Sequence, residues 1–232
     1  VVFVGFLNDA ASLFSQYNIF AAFGWTILFT AVSAVGALII GTIVAILRVS
    51  PAPALQWFGK AYVTVFRNTP LTLIVFFCVF GLYLALNWEL LPSDEIVWQN
   101  FAWGCVALSI YHASFVAEAI RSGINTVPLG QAEAARAIGL GFGGTMRYVI
   151  LPQSLRGAIA PLGNTLIALT KNTTVMATVT AAEASTVMKS MIEFSPNLLV
   201  LTFLVMAAGF VVLTLPVGLL FTKLSEKLAV ER

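Results

Sequence analysis

Lys171 stands inside an otherwise uncharged run, Gly157 to Ala182, with Asn164, Thr165 and Thr170 before it and Asn172, Thr173 and Thr174 after it. If that run crosses a membrane, a cation at its middle costs on the order of 3 kcal/mol to insert and is a functional candidate by default. An ammonium among amides and hydroxyls on an interrupted helix is suited to meet a carboxylate in a partly dehydrated cavity. The alternative is that Lys171 snorkels, or pairs with an acid of a neighbouring chain. A second polar group, Arg67, Asn68 and Thr69, precedes Pro70, which frees backbone groups that could bind a ligand or simply receive those side chains. Topology alone would also place an arginine at the end of a span. The lone His112 has no Cys or second His nearby, so a neutral, hydrogen-bonded imidazole is expected and a metal site is not. Glu118 and Arg121, three apart on a helix, read as a structural ion pair. Cys78 and Cys105 both lie in apolar runs, as small core or lipid-facing residues.

The elements that hold these residues follow from composition. Charged residues make up 9% of the chain and hydrophobic ones 59%, with 18 phenylalanines in 232 residues. That is too little polar surface to face water all round, so the chain belongs in a bilayer and reads as an all-α membrane protein. About 20 apolar residues of helix cross the hydrocarbon. Ile19 to Leu47, Asn68 to Trp88, Ile96 to Ala117 and Phe194 to Thr222 are free of Asp, Glu, Lys and Arg. Gly157 to Ala182, interrupted by Lys171, makes a fifth span. The organisation expected is an external or interfacial segment 1–18, a single transmembrane domain 19–222, and a tail 223–232. The amino terminus has no basic stretch ahead of its apolar residues, which argues against a cleavable signal peptide, and the lack of an initiator Met is consistent with trimming.

Five spans put the termini on opposite sides. Arg48, Lys60, Arg67, Arg121, Arg136, Arg147, Arg156, Lys223, Lys227 and Arg232, ten of the twelve cations, share one of those sides. Asp9, Glu89, Asp94, Glu95, Glu183 and Glu193 share the other with Lys189. The positive-inside rule therefore predicts an external amino terminus and a cytoplasmic carboxyl terminus. Trp25, Trp88, Trp98 and Trp103 near the outer span ends point the same way.

The longest cytoplasmic loop is then 121–156. Within it Pro128 can open a helix, Ala132 to Ile138 favours one, and Gly139 is placed to take the left-handed conformation that ends it. Ala132, Ala135 and Ile138 fall toward one side, and a second helical segment is expected from Thr145 until Pro152. Such a short helix buries little alone and needs something to dock against. Left to physics, it is equally a tight connector between spans.

The spacing here is specific. Glu133-Ala134-Ala135, three residues, Gly139, nine residues, Val149, one residue, Leu151-Pro152 resembles the EAA loop of ABC importer permeases, with valine in place of the usual isoleucine. AYVTVFRNTPL, FVAEAIRSGINTVPLGQAEAARAIGLG and LPQSLRGAIAPLGNTLIALTKNT resemble the polar amino acid permease family, and within it the permeases of bacterial glutamate importers.

The resemblance implies a type I ABC importer permease in a bacterial plasma membrane, multi-pass, with no catalytic residue of its own. Its implied partners are a second permease chain, identical or related, a cytoplasmic ATPase dimer and an extracytoplasmic solute-binding protein; nucleic acid has no place in it. The coupling residues would be Gln131, Glu133, Ala134, Ala135, Arg136, Gly139 and Leu140. ATP and magnesium would sit on the ATPase, in keeping with the lack of a G-x-x-x-x-G-K-[ST] loop in this sequence. The substrate implied is a polar amino acid, L-glutamate first, with Lys171, Asn172, Thr173, Arg67, Asn68, Thr69 and Asn164 as the candidate contacts. Another polar amino acid is the alternative. An ion-coupled secondary transporter would be expected to carry internal repeats, and no second copy of the Lys171 stretch occurs. A membrane enzyme would need clustered carboxylates, histidines or cysteines, which this chain does not offer.

Overall fold

The computed structural model describes residues 11, 15–92, 95–179 and 181–228, and among these no strand occurs. Most of the segment 1–18, with Asp9, and also Asp94, Thr180 and the end of the tail with Arg232 lie outside the described residues. The helices are α1 Ile19–Val49, α2 Pro53–Asn68, α3 Leu71–Phe76, α4 Ile96–Asn125, α5 Leu129–Ala137, α6 Phe142–Thr145, α7 Leu151–Asn172, α8 Ala184–Phe194 and α9 Leu199–Leu228. Wider π-turns follow α3 over Phe77–Ala85 and α6 over Met146–Ile150, and a tighter 3-10 segment, Thr173–Val179, follows α7.

Three stretches are long and apolar enough to cross a membrane: Ile19–Val49, Ile96–Asn125 and Pro196–Leu228. Pro53–Asn68 and Leu71–Ala85 pass that test only as a broken pair, which gives at most four spans among the described residues. The fifth expected span differs. Its helix ends at Asn172 and tightens into 3-10 geometry, and α7 is too polar to qualify because it carries Asn164, Lys171 and Pro161. The second span breaks because Pro70 has no N–H to continue α2, and Thr69 and Pro70 adopt extended ψ values of 131° and 132°.

Two compact units divide the chain. The first comprises residues 1–34, 70–108 and 169–214. Its aromatic core joins Trp25 to Trp98 and Phe101, and Phe29 to Phe101, at centroid distances of 4.8 to 5.6 Å. Trp103 is buried rather than interfacial, and its indole N–H donates to the Trp88 carbonyl at 2.9 Å. A buried indole must find an acceptor, and this one ties the start of α4 to the chain before it. Met191, Leu198 and Met206 form a second apolar cluster with Phe23 and Tyr17 against it.

The second unit comprises residues 35–69, 109–168 and 215–232. Here small residues let helices approach closely, as helices surrounded by lipid require. A Cβ on Gly41 would lie 2.6 Å from Val116 Cβ, one on Gly59 would lie 2.7 Å from Arg48 Cγ, and one on Gly163 would lie 2.5 Å from Phe221. Gly123 of α4 faces the backbone of α7 at Ser154 and Ala158, and Gly157 of α7 faces Thr126. That crossing clamps both ends of the loop containing α5. Gly123→Val should therefore cost about 1–3 kcal/mol through overpacking against backbone that cannot yield. Gly24→Ala, with nothing within 4 Å, should be neutral or stabilising. Thermal unfolding of the detergent-solubilised protein checks both, and an unshifted midpoint for Gly123→Val would contradict the clamp.

Candidate functional site

Helix α5 begins after Pro128, an extended residue with ψ 135°, so the proline precedes the first helical residue, Leu129. The helix ends as the sequence predicts. Gly139 has φ +89°, the only glycine with positive φ among the described residues. Its N–H bonds the Arg136 carbonyl at 3.0 Å, and the Leu140 N–H bonds the Ala135 carbonyl at 3.1 Å. Those two bonds make a Schellman cap, which satisfies carbonyls the helix would otherwise leave open. Gly141 is extended at its φ of −67°, so the reversal belongs to Gly139 and not to the following glycines.

Only Ala135 of α5 is buried, with Ala132 partly so. Ile138 is not on that inner side: it sits at the C-cap, off the helical track, and is 80% exposed. Leu129 is 82% exposed, and Gln131, Glu133, Ala134 and Arg136 are exposed between them. The helix therefore offers a polar strip flanked by two apolar side chains, with almost nothing of its own chain covering it. Beyond it, the second helical segment does not stop at Pro152. It passes through the π-turn Met146–Ile150 straight into α7, with Pro152 as the second residue of the new helix. The change of hydrogen-bond register in a π-turn accommodates a residue without an N–H. Behind α6 an apolar cavity of about 320 Å³ is lined by Ala45, Ile46, Ile120, Ile124, Phe142 and Met146 among others.

The candidate ligand residues divide between the two units. Arg67, Asn68, Thr69 and Asn164 lie in the second, and Lys171, Asn172 and Thr173 in the first. On the continuous helix α7, Ala160, Asn164, Ala168 and Lys171 follow helical spacing and are all exposed. The exposed faces of α1 and α9 differ in kind, presenting Ile39, Ile43 and Ile46, and Phe203, Val212 and Leu220. Lipid suits those two faces; a stripe of alanine, asparagine and lysine suits protein or a water-filled path.

Thr173 is buried and donates to the Thr170 carbonyl at 2.9 Å, so its hydroxyl serves the backbone at the helix-to-3-10 transition. Thr174 does the same for the Lys171 carbonyl at 2.7 Å. Asn68 and Thr69 donate back to the carbonyls of Thr64 and Val65 at 2.7 and 2.9 Å. These polar residues repair the breaks in the helices that carry them. Glu183 was missed as an organiser by sequence reasoning, which places it on the outer surface. It is fully buried and accepts from the backbone N–H groups of Ser185 and Thr186, both at 2.9 Å, and from both hydroxyls. Burial pushes its carboxyl up, against the pull of these four donors. Ser185 also reaches the Thr174 carbonyl at 2.9 Å, so the start of α8 is tied to the segment after Lys171. The readable signal was E-A-S-T, an acidic N-cap followed by residues able to bond it.

Residues 37–230 match the family model described as the inner membrane component of binding-protein-dependent transport systems. The chain belongs to that family. The permease is 51% identical to the glutamate transport system permease protein GluC of Corynebacterium glutamicum, across 93% of this chain and 96% of that one. It is 34% identical to the probable glutamine ABC transporter permease protein GlnM of Bacillus subtilis, across 95% and 98%. Its fold matches a crystal structure of an amino acid ABC transporter with histidines at a TM-score of 0.79 and 24% identity, covering 95% of this chain. The molecule is thus a multi-pass bacterial membrane permease with the type I ABC importer fold, a transport subunit and not itself a catalyst.

In the permease, Gly139→Val forces a β-branched residue to φ +89°, a strain of about 1–2 kcal/mol in one peptide. No atom lies within 4 Å to clash. The expected result is normal membrane insertion with loss of most substrate-stimulated ATP hydrolysis in the reconstituted transporter. Parental transport by an assembled Gly139→Val protein would remove the coupling role from this cap.

Proposed function

We propose that this permease forms the membrane path of an ATP-driven importer for an acidic amino acid, L-glutamate first. A separate ATPase dimer grips α5 through Leu129, Gln131, Glu133, Ala134, Arg136 and Ile138. ATP and magnesium bind there and not on this chain. A second permease chain completes the path, and an extracytoplasmic solute-binding protein delivers the cargo. The observation that carries the substrate is the 51% identity to a glutamate permease over nearly the whole chain. Relatives named for glutamine and arginine lie at 34% and 36%.

Chemistry agrees. Glutamate brings two carboxylates and one ammonium, and Lys171 supplies an exposed cation on the stripe with Asn164. At 4 Å and an effective dielectric near 20 that attraction is about 4 kcal/mol before desolvation, enough to prefer an anion over a neutral analogue. ATP-driven closure draws the paired loops together, and the clamp at Gly123 and Gly157 passes the movement to α4 and α7.

Lys171→Gln should lower glutamate uptake at least about tenfold, a loss of some 1.4 kcal/mol, with basal ATP hydrolysis nearly unchanged. Glutamine should compete poorly in the parent. Uptake of radiolabelled glutamate into proteoliposomes decides this: parental uptake by Lys171→Gln removes the residue from the path, and preference for a cationic amino acid removes the substrate.

An external amino terminus and cytoplasmic carboxyl terminus complete the proposal. In a Cys78→Ala, Cys105→Ala background, an impermeant maleimide applied to intact cells should label Glu89→Cys and spare Ser122→Cys and Ser225→Cys. External labelling of Ser225→Cys would reverse the orientation.

A further inference from the structure

Glu118 is the only acid in a cluster with three arginines from three helices. Arg48 of α1 donates to it from Nη1 at 2.5 Å, and Arg121 of α4 donates through Nε at 3.0 Å and Nη2. Arg67 of α2 approaches no nearer than 4.0 Å and lies over the Phe115 ring at 5.2 Å. The sequence leads one to expect the Glu118–Arg121 pair, but not its two further partners. Three guanidinium groups and one carboxylate leave two positive charges unmatched within the cluster.

These groups border a polar cleft of about 460 Å³, lined by Arg48, Arg67, Thr64, Asn68, Phe115 and Glu118, with Val63 behind. Arg48 Nε is buried with no hydrogen-bond partner among the described residues. Arg67 is 42% exposed, held in place by the aromatic face, and outside hydrogen-bonding reach of Glu118. Preorganised guanidinium forks with spare donors fit oxyanions that offer several oxygens.

An amino acid fits this cleft poorly. Its ammonium would face the surplus positive charge, and the one carboxylate present already accepts from two arginines. A phosphate group carries no such cation. Arg48 directly follows the uncharged run of α1, which puts the cluster at the depth of lipid headgroups, where basic pockets between spans hold anionic lipid.

We propose that the cleft between Arg48, Arg67 and Glu118 binds a phosphate group, supplied by an anionic phospholipid headgroup or by free phosphate. Glu118 is the internal counter-ion that holds Arg48 and Arg121 apart from the ligand's full charge, and Arg67 is the ligand's main contact. A site of this kind would tie the ends of three helices to the charge of the surrounding membrane, independently of which amino acid is carried.

The purified transporter complex, equilibrated with equal phosphatidylglycerol and phosphatidylcholine, would be examined by native mass spectrometry, with a parallel melting curve against inorganic phosphate. Retention of phosphatidylglycerol over phosphatidylcholine, reduced about fivefold by Arg67→Gln and unchanged by Lys60→Gln, supports the site with lipid as its source. Stabilisation by inorganic phosphate that Arg67→Gln abolishes, without lipid preference, supports it with free phosphate as the source. If Arg67→Gln fails to assemble, Arg67→Lys, which keeps the charge and loses the fork, should give an intermediate loss. Equal behaviour of parent, Arg67 variant and Lys60→Gln overturns the proposal. So does displacement of the bound phosphate group by L-glutamate, because the cleft would then be an amino acid site.

Discussion

Hydrocarbon offers no hydrogen bonds, so each place where a helix breaks must satisfy its own backbone. The structure answers with side chains drawn from the break itself. Asn68 and Thr69 return to α2 where Pro70 interrupts the chain, Thr173 and Thr174 return to α7 where it tightens, and Glu183 collects the free N–H groups at the start of α8. The polar residues at these breaks are therefore first a repair kit. Lys171 and Asn164 stand apart because they are exposed on the α7 face and no backbone repair by their side chains is seen.

The same constraint explains what the sequence could and could not disclose. Uninterrupted apolar runs mark spans well: Ile19 to Leu47 became Ile19–Val49. Charges proved poor end markers. Helix α4 continues past Ala117 to Asn125 because Glu118 and Arg121 neutralise one another along it, and Arg48 adds to that pairing. The last span begins at Pro196 and not at Phe194, since Ser195 leaves the helical region and Pro196 opens a fresh turn that runs into α9 at Leu199. Gly139 was legible because one residue's φ decides a helix cap. Ile138 was not, because one step beyond the last helical residue defeats a periodicity argument.

Burial of single polar groups was the least legible layer. The E-A-S-T run marks Glu183 as a cap, but its burial also depends on Thr26, whose hydroxyl accepts the Ala184 N–H at 3.2 Å, and on Thr174, whose carbonyl accepts from Ser185, both outside that run. Trp103 and Trp98 look alike in sequence, yet one is buried and bonded to Trp88 and the other half-exposed. Arg67 could be read as a topology marker or as a ligand contact, and only the approach of α4 to α2 brings it over Phe115.

Close contacts of the same kind also tie the small surface helix α5 to the rest of the permease. Helix α5 has almost no core of its own, so an isolated push on it would be lost in a flexible loop. The loop is not flexible at its base: Gly123 and Gly157 bring α4 and α7 to backbone contact, and a Cβ at either would collide. Beyond that crossing α7 continues as one helix to Asn172. Pro161 removes one backbone bond within that length, which makes it the point where the helix can most readily bend. A displacement imposed on the loop therefore meets α4 and α7 at that crossing, and Pro161 is where α7 can most readily yield to it.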